Sequence, residues 1–300
     1  MPQVQLRQAA FSPGELAAAE ASREFEFSEA DFRSLAQLAY QYAGIALADS
    51  KRNLVYSRLS RRLRVLGLKS FRQYREYLAN DDNAGEIENF INSISTNLTK
   101  FFRESHHFDH FRSHVAAEFA RSVRGNSARR LRIWSAGCST GEEPYTIAVV
   151  LRKELPDILR HDARILATDI DTDVLAKAAR GEYAPESVEQ IPQAYQSFFS
   201  ETDGEGDGKP VIAVERELRS LIAFRRLNLM EAWPFKGQFD VIFCRNVMIY
   251  FDNPTKADLI QRFVQQIKPG GWLYIGHSES LTGEHPGLKL VGRTIYRRQP

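Results

Sequence analysis

From residue 28 to about residue 97 the apolar positions recur every three to four residues, the period of an amphipathic helix. Phe32, Leu35, Leu38, Ala39 and Tyr42 share one side of a first helix. Ser28-Glu29-Ala30-Asp31 opens it with a cap and early acids, and Gly44 stops it. A second helix is predicted from about Ser50 to Leu66, ending at Gly67, with Val55, Leu59, Leu63 and Leu66 as its apolar stripe. A third covers about Ser70 to Leu78 and a fourth Glu86 to about Ile94. Residues 28–97 therefore read as a small all-helical domain, preceded by an Ala/Glu-rich lead-in, residues 1–27, expected to be poorly ordered. Residues 98–130 read as another helix, carrying Phe101, Phe102, Phe108, Phe111 and Val115, and then a linker from Arg121 to Arg130.

Beyond residue 131 short apolar runs alternate with helical periods. Strands are predicted at Leu131–Ala136, Arg164–Thr168, Leu221–Phe224, Phe239–Cys244, Trp272–Gly276 and Val291–Arg297. Helices are predicted at Glu142–Leu155, Thr172–Ala179 and Asp258–Ile267. This alternation argues for an α/β, doubly wound, mainly parallel sheet. One stretch, about residues 188–226, interrupts it. A Gly/Asp run from Glu201 to Pro210, flanked by Phe198-Phe199 and Val211–Val214, predicts a small antiparallel insertion with a mobile tip.

Composition changes this picture only at the edges. The chain has 300 residues, which favours two structural units, and its net charge of +2 is too small to argue for a nucleic-acid partner. Cys138 and Cys244 are the only cysteines, so no disulfide framework is expected and a reducing compartment is. No apolar run reaches the length of a membrane span, and Met1-Pro2-Gln3-Val4-Gln5 lacks a secretory pattern, so a cytoplasmic protein without membrane insertion is expected.

The chemistry concentrates in Ile133-Trp134-Ser135-Ala136-Gly137-Cys138-Ser139-Thr140-Gly141-Glu142-Glu143-Pro144. A strand runs into a glycine-spaced loop and a helix start, the layout of a nucleotide or cofactor cradle. Ser139 with Glu142, and Thr140 with Glu143, have capping-box spacing. Two glutamates there repel a pyrophosphate and favour a ligand with a positive group, such as a sulfonium or an ammonium. Asp169 closes the next strand, where an acid can accept ribose hydroxyls. Asn228-Leu229 and Arg245-Asn246 follow later strands, and Lys268-Pro269-Gly270-Gly271 reads as a tight turn. His106, His110 and His114 recur every fourth residue, a zinc-compatible spacing, but a helix surface and packing explain them better and no metal site is assigned. On the second helix Lys51, Arg58 and Arg62 flank the apolar stripe with Arg61 beyond, a basic face suited to an acidic helical partner. No nucleic-acid reading motif accompanies it. These features leave open a methyltransferase, a nicotinamide oxidoreductase or a non-catalytic binding module.

Five separated segments agree in order with one family: Asn97-Leu98-Thr99-Lys100-Phe101-Phe102-Arg103-Glu104, Ser139–Tyr145, Ala167–Asp171, Phe243–Phe251 and Gly276-His277-Ser278-Glu279. From about Phe27 to its end the chain resembles the chemotaxis receptor methyltransferases, the CheR family. The resemblance implies a seven-stranded class I methyltransferase sheet over residues 131–300. It implies S-adenosylmethionine as cofactor, S-adenosylhomocysteine as product, and methylation of glutamate side chains on chemoreceptor helices by a monomer. By position, Asn97, Thr99 and Arg103 close over the cofactor, and Gly137 belongs to its cradle. Glu143 lies near its amino-acid portion, Asp169 at the ribose, Asn228-Leu229 at the adenine and Asn246-Val247 at the pocket floor. Arg103 and Tyr250 are expected to serve methyl transfer, and Lys51, Arg58, Arg61 and Arg62 to dock the receptor. Some members tether a receptor C-terminal peptide through the β insertion. Cys138 departs from the small residue expected in the loop.

Overall fold

The computed structural model describes residues 23–125, 129–204, 208–279, 281 and 287–300. Four helices build the first unit: α1 (Glu29–Ala43), α2 (Arg52–Leu66), α3 (Phe71–Leu78) and α4 (Ala84–Ile94). Their ends follow the expected chemistry. Ser28 and Asp31 form a reciprocal capping box on α1, and Gly44 and Gly67 end α1 and α2 in the left-handed region, at φ 70° and 68°. Leu35, Leu59, Leu63, Phe71 and Phe90 meet in a closed core. Each such side chain contributes about 1.5–3 kcal/mol on leaving water. The lead-in is shorter than expected: Phe25 and Phe27 are buried in this core, with Phe27 and Phe71 rings 4.3 Å apart. The rest of it, residues 1–22, lies outside the described residues.

Phe101 and Phe102 do not sit on a helix. They form a turn in which Phe102 and Glu104 have φ of 51° and 56°, and α5 (His106–Phe111) begins after it. Both rings are needed elsewhere: Phe101 packs on Tyr183 and Phe199, and Phe102 on Phe108 and Tyr195. A π-turn, Arg112–Ala116, carries the chain into α6 (Ala117–Arg124), which occupies part of the expected linker.

The second unit alternates as expected: β1 (Leu131–Ala136), α7 (Glu142–Glu154), β2 (Ala163–Asp169), α8 (Thr172–Arg180), the insertion, β6 (Ile222–Arg226), β7 (Phe239–Cys244), α10 (Asn253–Gln266), β8 (Ile267–Ile275), β9 (Leu288–Gly292) and β10 (Ile295–Arg298). The insertion holds β3 (Glu182–Tyr183), β4 (Phe199–Asp203), β5 (Pro210–Val214) and the short α9 (Arg216–Arg219). Its three strands pair antiparallel in the order β3-β5-β4. The expected mobile tip falls partly on residues 205–207, outside the described residues.

The main sheet has seven strands in the order β6-β2-β1-β7-β8-β10-β9. The first five strands of that order are parallel, and β10 is antiparallel to both its neighbours. The order reverses between β1 and β7, and a doubly wound sheet binds its ligand at such a switch point, beyond the carboxyl ends of the strands. Three boundaries differ from expectation. Helix α10 starts at Asn253, because Asp252 accepts the Thr255 N–H as its cap and Pro254 fits the first turn. Lys268–Gly271 is a bulge within β8: pairing jumps from Phe239–Ile267 to Val241–Trp272, and Lys268 Nζ binds Asp240 Oδ1 at 2.8 Å. The final strand is a hairpin turning at Thr294, φ 55°.

Candidate functional site

A cavity of about 500 Å³ opens between the helical unit and the carboxyl ends of β1, β2 and β7. The loop after β1 forms its floor because it is stitched to β2. Gly137 and Cys138 N–H groups both donate to Thr168 O, at 2.8 and 2.9 Å, and Ser139 N–H donates to Asp169 Oδ2 at 2.7 Å. Gly137 has φ 81°, and a Cβ there would stand 2.3 Å from Val247 Cγ2. Only glycine lets the β1 loop touch the β7 loop across the switch point.

The expected capping boxes do not form. Gly141, φ 97°, is the N-cap of α7, and Thr140 Oγ1 donates to Glu142 Oε2 at 2.7 Å. Glu143 turns the other way, because a buried cation is available. Arg245, whose side chain is 2% exposed, donates to Glu143 Oε2 at 3.0 Å, and Ser135 Oγ donates to Glu143 Oε1 at 2.7 Å. Arg245 also meets Glu104 Oε2 at 3.5 Å and donates to Arg103 O. One guanidinium thus faces two carboxylates. Burial raises the Glu143 carboxyl above its ordinary value, with Arg245 opposing. Burial also works against Glu104, yet Arg245 and the His277 N–H hold that carboxyl below its ordinary value. His107 adds no charge, because burial and Arg245 push it down to about 3. On the cavity wall, Glu143 and Asp169 are the carboxylates, set beside Lys51, Lys100, Arg103 and Arg245.

Asp169 lies at the end of β2 with both oxygens engaged by main-chain N–H groups, Ser139 on Oδ2 and Asp171 on Oδ1 at 3.1 Å. Burial nevertheless lifts its carboxyl to about 6. Asn97 reaches the same corner from the helical side: Nδ2 donates to Asp171 Oδ2 at 2.7 Å, and its carbonyl accepts Ser139 Oγ at 3.0 Å. Asn228 is buried and fully occupied as a strut, with Nδ2 donating to Tyr42 O at 2.5 Å and Met230 N–H donating to Oδ1 at 3.0 Å. Arg103 is half-buried and donates to Leu98 O at 2.7 Å; Tyr250 OH donates to Thr96 O at 3.2 Å. Burial raises the Tyr250 phenol, so it stays a donor.

The structure brings together on this one cavity all ten residues assigned to the cofactor, Tyr250, and Lys51 of the docking set. Arg58, Arg61 and Arg62 do not line it. Two of these have structural partners instead. Arg62 forms a two-pronged pair with Glu86, at 2.9 and 2.6 Å, and Arg58 donates to Ile94 O and Ser95 O. Arg61 stands exposed. The histidine row packs on β8: His110 Nδ1 lies 2.8 Å from Tyr274 OH, and His110 and His114 stack at 4.1 Å. Among the described residues no cluster of metal-ligating groups forms.

Sequence reasoning missed Arg245 and Glu279. Glu279 accepts the N–H groups of Asn246 and Gly276 at 2.7 Å and of Ile249 at 3.1 Å, holding Asn246 at φ 60°. Both lay inside quoted motifs. A charged residue ending the apolar run Phe239–Cys244 was the available signal for Arg245.

Comparison with known proteins agrees with this geometry. Residues 97–297 match the family described as CheR methyltransferase, SAM binding domain, and residues 30–95 match CheR methyltransferase, all-alpha domain. The chain is 45% identical over 262 residues to a probable chemotaxis protein methyltransferase of Rhizobium etli, covering 87% of this chain and 96% of that one. It is 44% identical over 282 residues to the chemotaxis protein methyltransferase of Klebsiella aerogenes, covering 93% of each. It is 45% identical over 271 residues to that of Escherichia coli, covering 90% and 91%. With both family domains in register and the expected residues gathered on one cavity, the chain belongs to the CheR family of S-adenosylmethionine-dependent chemotaxis methyltransferases.

Proposed function

We propose that the residues around this cavity divide between them the transfer of a methyl group from S-adenosylmethionine to glutamate carboxylates of chemoreceptors, giving glutamyl methyl esters and S-adenosylhomocysteine. The observation that carries the reading is the cavity at the β1/β7 switch point, which gathers all the assigned cofactor residues. The donor set fits the cofactor. Glu143 and Asp169 present carboxylates suited to an ammonium and to ribose hydroxyls, and the bare Gly137 backbone permits close approach. Bound there, S-adenosylmethionine supplies a methyl group on positively charged sulfur.

Glu143 takes the amino-acid end and Asp169 the ribose hydroxyls. Asn228 and Leu229 flank the adenine, Asn246 and Val247 form the floor, and Asn97 and Thr99 close the site from the helical side. The accepting glutamate has an ordinary pKa of about 4.3 and is already ionised at neutral pH, so no general base is required. Arg103 holds that carboxylate in line, and Tyr250 offers its hydroxyl beside the transfer path. Orientation of this kind supplies roughly 7–11 kcal/mol in favourable cases. Lys51 and Arg61 attract the acidic receptor helix. The outer strand β4, at the edge of the three-stranded sheet among the described residues, takes a receptor C-terminal peptide by strand addition. The enzyme acts as a monomer.

The test is labelled-methyl transfer to receptor fragments, with and without their C-terminal tails. Wild-type chain is expected to label glutamates, and Arg103→Ala to lower turnover about 100-fold while the protein stays folded, since the guanidinium contributes one bond, to Leu98 O. Turnover near wild type in that variant removes Arg103 from the mechanism.

A further inference from the structure

Large apolar side chains stand exposed at the mouth of the methyl-transfer cavity. Leu98 is 81% exposed, Ile249 45% and Leu54 38%, and all three line its rim. Leu98 is the most exposed large apolar side chain among the described residues. It does not hang on a loose strand. Its carbonyl accepts the Arg103 guanidinium, and two residues earlier Thr96 O accepts Tyr250 OH. The 96–98 segment is therefore strapped beside Ile249 and Tyr250, and Ile249 is itself held through its N–H on Glu279 Oε1. Three cations, Lys51, Lys100 and Arg103, share the same rim. An apolar centre set among charges is the layout of a docking surface. Single exposed apolar residues need no such account, but a group fixed around a substrate entrance does.

The reaction constrains what sits there. A glutamate that delivers its carboxylate into the cavity leaves its own backbone at the rim. On a helix, the side chains three and four positions away share the glutamate's face. They lie on the rim while the glutamate enters.

We propose that the mouth reads the residue one helical turn from the accepting glutamate. Leu98 and Ile249 take an apolar side chain at that position, and Lys51 and Lys100 favour a helix that is otherwise acidic. The occupant is thus an acid-rich amphipathic helix whose accepting glutamate lies on the border of its apolar face. This rests on the reading that the acceptor is a receptor helix, and it adds a criterion for which glutamates are chosen.

The full-length chain is tested with a receptor fragment as methyl acceptor, comparing wild type with Leu98→Ser, Ile249→Ser and the double variant. KM for the fragment is expected to rise about tenfold in each single variant and further in the double, the scale of one lost leucine-sized contact. Calorimetric affinity for S-adenosylmethionine is expected to stay within about twofold, and the KM defect to persist at high salt, where charge attraction is screened. Replacing the apolar residue one turn from the accepting glutamate by Ser in the fragment is expected to raise the wild-type KM and leave the double variant's KM unchanged. Wild-type KM in the double variant overturns the proposal, and so does weakened cofactor affinity, which assigns the two side chains to the cofactor pocket. If wild-type chain binds cofactor but methylates no receptor fragment, the underlying functional reading fails, and the rim assignment with it.

Discussion

Asp169 shows how one side chain links fold and ligand. Its ordinary carboxyl value near 3.8 is raised to about 6 by burial, against the pull of main-chain N–H donors. A carboxyl whose folded value is raised binds its proton more tightly in the folded state. Its contribution to stability is therefore greatest at low pH and falls as pH rises through about 6. Above that, the folded protein holds an ionised, buried carboxylate, which ribose hydroxyls can serve. Affinity for S-adenosylhomocysteine should accordingly rise between pH 5 and about 6.5, by at most about tenfold per pH unit, and then level off. Burial also raises Glu142, Glu143 and Asp171 nearby, so the wild-type slope alone does not assign the group. Asp169→Asn does: titration calorimetry should find weaker binding and most of the slope gone. An unchanged slope in that variant moves the titration to one of the three neighbours.

At the scale of elements, the order of strands and helices was legible because each carries its own period and ends. Strands β1 and β7 coincide with their apolar runs, and α1 and α2 stop at the glycines that end them. What was not legible depends on partners distant in sequence. Glu143 stands three residues from Thr140, yet Ser135 at the end of β1 and Arg245 at the end of β7 claim it, and Arg245 is far outside any local window. Lys268–Gly271 has the composition of a turn but bulges within β8, because Asp240 holds Lys268 from the neighbouring strand. The site loops show the same dependence. Gly137 is legible as a flexible residue, but its reason, the 2.3 Å approach of Val247 to any Cβ, belongs to packing across the switch point. Gly137→Ala combines that clash with a left-handed backbone, a strain of roughly 1–2 kcal/mol for a non-glycine residue. It should weaken S-adenosylmethionine binding at least about tenfold. Val247→Ala in the same chain should restore part of this, because it relieves the clash but not the backbone strain. Equal affinity in the single and double variants places the whole defect in the backbone.

At the scale of the molecule, charges that look alike along α2 divide by where the fold puts their partners. Arg62 is clamped on Glu86, which is 5% exposed and also accepts Tyr74 OH at 3.0 Å, inside the helical unit. Arg61, one residue away, stands in solvent. Reversing each charge therefore tests two different functions of the helical unit, its own folding and its attraction for a partner. Arg62→Glu places a second carboxylate against a buried one and removes its neutralising partner, a change that costs about 3–5 kcal/mol when such pairs are broken. Denaturant unfolding should show that loss, and activity should fall through loss of folded protein. Arg61→Glu leaves packing intact, so its melting temperature should stay near wild type. Its KM for an acidic receptor fragment should rise several-fold at low salt and converge on the wild-type value as screening shortens the reach of the charge. The helical unit also closes the cavity proposed for the cofactor, through Asn228 on Tyr42 and Asn97 on Asp171. Destabilising it with Arg62→Glu should thus lower cofactor affinity as well, whereas Arg61→Glu should leave that affinity alone. A cofactor defect in Arg61→Glu, or a salt-sensitive KM defect in Arg62→Glu with full stability, contradicts this division of labour along one helix.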